Sequence, residues 1–259
     1  MINKSLYDES FYESTHSHVY SAQKILDIIF KHLKPKSIID VGCGSGSWLK
    51  VAGEMGVKNL TGVEGNWLKP EMLIVENINL LIHDISNSLP PLTPYDLAIT
   101  LEVAEHLSES RSKSFIEDLC GLSDVVLFSA AIPNQGGDNH LNEQWQSYWN
   151  GLFRQNNFVA RDIIRPIIWE DENIKPWYKQ NCILYINEKI ESKIDNPRNQ
   201  VPLDIVHPDI FWNNPGKYKY IQIIKNDPKK KGNHMRFKVL LITNFIVAIT
   251  FFLILFLDR

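Results

Sequence analysis

Cysteine is scarce. Cys43, Cys120 and Cys182 are the only three in 259 residues; they stand far apart and in no C-x-x-C spacing, so there is neither a disulfide framework nor a cysteine-built zinc site to expect. That usage points to a reducing compartment. The opening stretch MINKSLYDESFYEST lacks an apolar core, so no signal peptide is predicted. Repeats and low-complexity tracts are missing too, and 44% hydrophobic with 22% charged residues is ordinary globular usage. Net positive charge is confined to one segment. Six cations (Lys225, Lys229, Lys230, Lys231, Arg236 and Lys238) face only Asp227 between 225 and 238, a local +5, so a total of −3 leaves about −8 on the residues before 225. An acidic domain is poorly suited to a phosphate backbone, which argues against nucleic acid as a partner.

One long hydrophobic run is present. Residues 239–257, VLLITNFIVAITFFLILFL, carry no charge over nineteen positions, interrupted only by Thr243, Asn244 and Thr250. A helix of that length is roughly 28 Å long, close to the hydrocarbon thickness of a bilayer. A single membrane span over 237–257 is predicted. The cations on its N-terminal flank would keep the preceding domain on the cytoplasmic side and could attract anionic headgroups.

Upstream, the apolar spacing in HVYSAQKILDIIFKHL (18–33) predicts a helix with one buried face, ended by Pro35. Strands are predicted at 37–41, 59–65, 78–85, 95–103, 124–133, 158–166 and 181–188, and helices at 46–55, 108–122 and 142–155. Strands alternating with helices predict a parallel sheet covered on both faces. Residues 189–236 are polar, proline-punctuated and weakly periodic, and read as an extension leading to the membrane segment.

The chemistry concentrates in IIDVGCGSGSWL (38–49). Glycines at 42, 44 and 46 directly after a strand let backbone N–H groups approach a ligand with no Cβ in the way. A dinucleotide fingerprint, G-x-G-x-x-G, would need glycine at 47, where the chain has Ser47. Asp40 at the strand end would repel a pyrophosphate and suit a cationic ligand. Further acids end the next two strands (Glu64 and Asp84), where open α/β sheets bind ligands. Each also has a structural reading: Asp40 as a helix cap, Glu64 as a surface acid, Asp84 as an Asx turn before Ser86.

DVGCGSG, then Glu64, Asp84 and EVAEHL after the fourth strand, resembles the class I S-adenosylmethionine-dependent methyltransferases over about residues 5–188. The stretch from LEVAEHL to LFSAAIPNQGGDNHLNEQWQSYW also resembles small bacterial methyltransferases found with glycan-assembly genes. The resemblance implies an α/β fold with a seven-stranded, Rossmann-like, doubly wound sheet over 1–188, to which this chain adds a 189–236 extension and a 237–257 transmembrane helix. It implies S-adenosylmethionine as cofactor, with Gly42, Gly44 and Gly46 around its methionine and ribose. Asp40 would lie near the amino group or sulfonium, and Glu64 would accept from both ribose hydroxyls. Asp84 and the Ile85 amide would meet the adenine, and Leu101 and Glu102 would line the methionine end. Residue 64 is Glu where Asp is common, so the loop Gly65-Asn66-Trp67 must absorb one methylene.

Methyl transfer from a sulfonium asks the protein for alignment and, with a hydroxyl acceptor, for a base. His140, in the loop after the fifth strand, is the candidate base, with Asn139, Glu143 and Trp145 as candidate acceptor contacts. His106 reads as packing beneath the cofactor loop, and Trp145, Tyr148, Trp149 and Phe153 as a packing stripe on a helix. Asp138 with His140 makes too thin a pair for a metal site, so none is expected. The expected function is a membrane-tethered methyltransferase acting on a hydroxyl of a sugar or lipid-linked glycan. The alternatives are a non-catalytic membrane-anchored scaffold of the same fold and a nicotinamide-linked sugar oxidoreductase. Oligomeric state is left open.

Overall fold

The computed structural model describes residues 18–193 and 203–213. The predicted transmembrane segment and the basic run before it lie outside the described residues. No helix among the described residues is long and apolar enough to cross a membrane.

The chain forms a seven-stranded sheet in the order β3-β2-β1-β4-β5-β7-β6. The strands are β1 (Ser37–Val41), β2 (Asn59–Glu64), β3 (Asn79–Ile82), β4 (Leu97–Leu101), β5 (Val125–Ser129), β6 (Phe158–Arg161) and β7 (Ile183–Asn187). Among the described residues seven α-helices accompany them: α1 (Val19–Ile29), α2 (Ser47–Glu54), α3 (Ser112–Leu122), α4 (Gln146–Gln155), α5 (Arg165–Ile168), α6 (Pro176–Asn181) and α7 (Pro208–Asn213). Successive residues on the central strands feed opposite faces. Ile38, Leu97, Ile99, Val125 and Leu127 join the core beneath α1 and α2, while Ile39, Ala98, Val126 and Phe128 join the core beneath α3 and α4. That alternation of fully apolar positions is the signature of a sheet buried on both sides.

The expected parallel sheet needs one correction. β7 pairs antiparallel with both β5 and β6, register Val126↔Tyr185 and Ala160↔Tyr185. Apolar periodicity does not encode strand direction, so sequence spacing could not separate the two arrangements. The double covering also thins at the β3 edge. Only a short 3₁₀ turn, Pro70–Met72, lies between β2 and β3, and no strand residue of β3 is fully buried. Predicted boundaries contract as well: the third strand stops at Ile82, the fifth at Ser129 and the sixth at Arg161, and α4 starts at Gln146.

Residues 203–213 fall within the stretch read as an extension, yet they pack on the domain. Asp204 accepts from the Ser147 amide and hydroxyl, both at 2.7 Å, and so caps α4 from 57 residues away. Arg165, held by Asp162, donates to the Leu203 carbonyl at 2.8 Å, and the His207 amide donates to Gln180 Oε1 at 2.8 Å.

Candidate active site

β1, β2 and β4 end on the same edge of the sheet, and a cavity of about 380 Å³ opens there. The turn after β1 makes its floor. Gly42, Gly44 and Gly46 take φ values of 80°, 54° and 80°, a left-handed path that side chains disfavour. A Cβ at residue 42 would lie 2.6 Å from Val103 Cγ2, and one at 46 would lie 2.5 Å from Val75 Cγ1, so the turn has no room for larger residues. The Gly42 and Cys43 amides both donate to the Val63 carbonyl, which ties the turn to β2.

Three strand-end acids face this floor or its far wall. Asp40 is 3% exposed and its Oδ2 has no hydrogen-bond partner. Burial first, and the charge of Glu64 second, push its pKa up to about 8. Glu64 accepts from the amides of Gly44 and Gly65, each at 2.8 Å, and from Trp67 Nε1 at 3.1 Å. Burial raises its pKa, opposed by those three donors. Glu102 sits at φ 55°, a strained conformation for a residue with a side chain. Its carboxylate accepts from Gln135 Nε2 at 2.8 Å and Asn181 Nδ2 at 3.1 Å, which holds it in the wall between β4 and the post-β5 loop.

The opposite end of the cavity is built by EVAEHL and the loop 132–141. Glu105 is fully buried; its Oε1 accepts from the Ala131 amide at 3.1 Å, while Oε2 has no partner. Its pKa lies well above the usual carboxylate range through burial and the charge of Glu102. The His106 and His140 rings meet edge to face, centroids 5.0 Å apart. Burial and the neighbouring His140 lower the His106 pKa to about 4, so its ring is neutral near pH 7. Glu143 lies behind His140, 3.0 Å from its Nδ1, and also accepts from the amides of Asn134 and Gly136. A Cβ at Gly137 would lie 2.3 Å from His140 Nε2, so glycine there gives the imidazole its place.

The cavity thus gathers Asp40, Gly42, Gly44, Glu64, Ile85, Leu101, Glu102 and His140 from the predicted set. Gly46, Asp84, Asn139, Glu143 and Trp145 do not line it. Gly46 shapes the turn from behind, and Glu143 organises the glycine-rich loop. Asp84, expected at the adenine, is exposed outside the cavity lining, and its carboxylate accepts from the Ser86 amide at 3.0 Å in an Asx turn. Trp145 is the N-cap residue of α4, while Trp149 and Phe153 are buried in the core as the packing reading expects.

Sequence reasoning missed an aromatic wall of His18, Trp48, Trp177 and Tyr178. These come from α2, the start of α1 and α6; Tyr178 hydroxyl and His18 Nδ1 lie 3.1 Å apart, and Trp48 packs edge-on to Tyr178 at 5.4 Å. No local spacing announces residues 160 positions apart as neighbours. His106 and Glu105 were also missed as cavity residues, because His106 was expected to pack beneath the cofactor loop. Nor was a metal-ligating set expected. Yet one ligand atom from each of Glu105, His106 and His140 lies within 4.8 Å of the others.

Five acids line this cavity (Asp40, Glu64, Glu102, Glu105 and Asp138), and no lysine or arginine does among the described residues. A pyrophosphate would be repelled here, whereas an electron-poor sulfonium with an ammonium group is matched by the buried, unpartnered oxygen of Asp40. The fold and the site together define the class I S-adenosylmethionine-dependent methyltransferases. Within that class the chain belongs to the family described as a methyltransferase domain, whose sequence profile matches residues 12–161.

Solved structures with this fold include magnesium protoporphyrin IX methyltransferase from Synechocystis PCC 6803 with bound SAH. It is 15% identical, with 66% of this chain and 82% of that one covered and a TM-score of 0.51. An O-methyltransferase family protein from Burkholderia thailandensis is 7% identical, with 71% and 59% covered and a TM-score of 0.51. No curated protein sequence matches the chain.

Proposed function

We propose that this protein methylates a hydroxyl group on a sugar or lipid-linked glycan while tethered to the cytoplasmic face of a membrane. The observation that carries the cofactor half is the acidic cavity floor, with Asp40 Oδ2 buried and unpartnered beside a three-glycine turn. S-adenosylmethionine supplies an already activated methyl group, so the chain's task is to hold, orient and shield it. Asp40 faces its positive end. Glu64 takes the ribose hydroxyls in this reading: a carboxylate offers about four lone-pair sites and three already have donors, so a contact such as that of Trp67 gives way on binding. Ile85 and Leu101 bound the space between.

The acceptor half rests on the rest of the cavity and on the sequence. Trp177, partly exposed at the cavity and backed by the buried Trp48 and Tyr178, offers an aromatic surface to the apolar face of a sugar ring, and the acids disfavour a phosphate at the reacting end. His140, held by Glu143, lines the cavity and is the base in this reading for the acceptor hydroxyl. The uncharged 239–257 run and the basic segment before it support the tether, which would raise the effective concentration of a substrate confined to the same surface. Mass spectrometry of lipids and glycans extracted from cells with and without the protein tests this reading. A species heavier by one CH₂ only when the protein is present is expected; identical profiles in the presence of a protein that binds the cofactor would remove the glycan assignment.

A further inference from the structure

We propose that Glu105, His106 and His140 form a binding site for one divalent transition-metal ion at the acceptor end of the cavity. The proposal builds on the methyltransferase reading by giving the acceptor hydroxyl something to bind.

Three observations converge. One carboxylate and two imidazoles offer ligand atoms within 4.8 Å of one another, all on the cavity wall. Glu105 is fully buried, and its Oε2 lacks a partner although Oε1 is held by the Ala131 amide. His106 Nδ1 is likewise buried and unpartnered. A buried polar atom left unsatisfied is costly, and two of them converging with a third ligand residue leave a gap that a cation fills. His140 is prepared in the usual way of a metal-bound imidazole. Its Nδ1 lies 3.0 Å from Glu143, and a proton there leaves the lone pair on Nε2.

The backbone fixes this set. The Glu105 carbonyl accepts from the amides of Leu141 and Asn142 at 2.8 and 3.0 Å, which clamps the His140 loop against the EVAEHL turn. Two neutral imidazoles and one carboxylate on one side of an ion leave its other positions open, a donor set that suits manganese, iron(II), cobalt or zinc better than magnesium. The open positions would hold the acceptor oxygen. The ion is neither oxidised nor reduced. It makes the hydroxyl proton easier to lose to water; the oxygen then takes the methyl carbon as the carbon–sulfur bond breaks, and the neutral thioether leaves. With an ion bound, His140 is a ligand; the ion acidifies the hydroxyl and water takes the proton in place of the imidazole.

Cobalt(II) chloride, with manganese, zinc and magnesium chlorides in parallel, titrated into chelator-stripped full-length protein tests the site by visible absorption and calorimetry. One equivalent of cobalt per chain with new visible bands is expected, weakened about 10–100-fold in Glu143→Gln and abolished in His140→Ala and Glu105→Gln. S-adenosylmethionine calorimetry on the same samples separates the two claims, and His140→Ala, changed on a loop, keeps the test open if Glu105→Gln fails to fold. Cofactor binding without uptake of any ion, or cobalt uptake equal in all variants, would overturn the site and leave the methyltransferase reading intact.

Discussion

At the scale of single residues, Asp40 and Glu64 make opposite demands on the empty and the cofactor-bound protein. The pKa of Asp40 is raised from 3.8 to about 8, so the folded state holds a proton that the unfolded chain releases. Its contribution to stability is fully present below pH 3.8 and is lost as pH rises through about 8. A cationic ligand reverses the preference by favouring the ionised form. Cofactor affinity should therefore rise with pH and level off above about 8, with a proton released on binding below that pH. Calorimetry in two buffers of different ionisation heat measures that release. Asp40→Asn should bind the cofactor more weakly while unfolding at higher denaturant near pH 8. Glu64→Ala should lose about 1–3 kcal/mol of cofactor affinity, the cost of leaving hydrogen-bonding partners unmet. The positions of Asp40, Glu64, Ile85, Leu101, Glu102 and His140 at the cavity were legible because strand ends and the loops that follow them converge on one sheet edge. Asp84 lies outside that lining because β3 stops at Ile82, and one of its carboxylate oxygens accepts from its own turn. Glu105 and His106 escaped notice because their significance depends on a loop more than thirty residues downstream.

At the scale of elements, the β1–α2 turn and the remote cap of α4 each carry a test. Gly42→Ala must place a methyl group 2.6 Å from Val103 Cγ2 at φ 80°. We expect a loss of about 1–2 kcal/mol from the backbone conformation alone, with further loss from the clash. Val103→Ala in the same chain should recover the second part and not the first, as read by urea unfolding. Asp204→Ala removes both acceptors of Ser147 at the start of α4 and should cost about 1 kcal/mol by the same measurement, the usual value of an N-cap. Every strand and helix predicted between residues 18 and 188 exists, since buried apolar runs and 3.6-residue periodicity are local signals. The antiparallel direction of β7 and the docking of residues 203–213 were not legible. Both are decided by long-range pairing: Val126 against Tyr185 in one case, Gln180 against His207 in the other.

At the scale of the whole molecule, an acidic catalytic cavity is joined through a short docked segment to a basic stretch and an uncharged run. Deleting residues 237–257 should move the protein from the membrane pellet to the supernatant on cell fractionation, and neutralising Lys229, Lys230 and Lys231 should weaken any remaining attachment to anionic vesicles in low salt more than in high. Neither change alters a residue of the described cavity, so binding of S-adenosylmethionine should survive both. That binding is the proposition on which the rest depends. Isothermal titration of the full-length chain with S-adenosylmethionine, repeated with Glu64→Ala and Asp40→Asn, addresses it most directly. We predict one cofactor per chain, weakened by each substitution. Absence of binding heat, or an affinity indifferent to both carboxylates, would contradict the account.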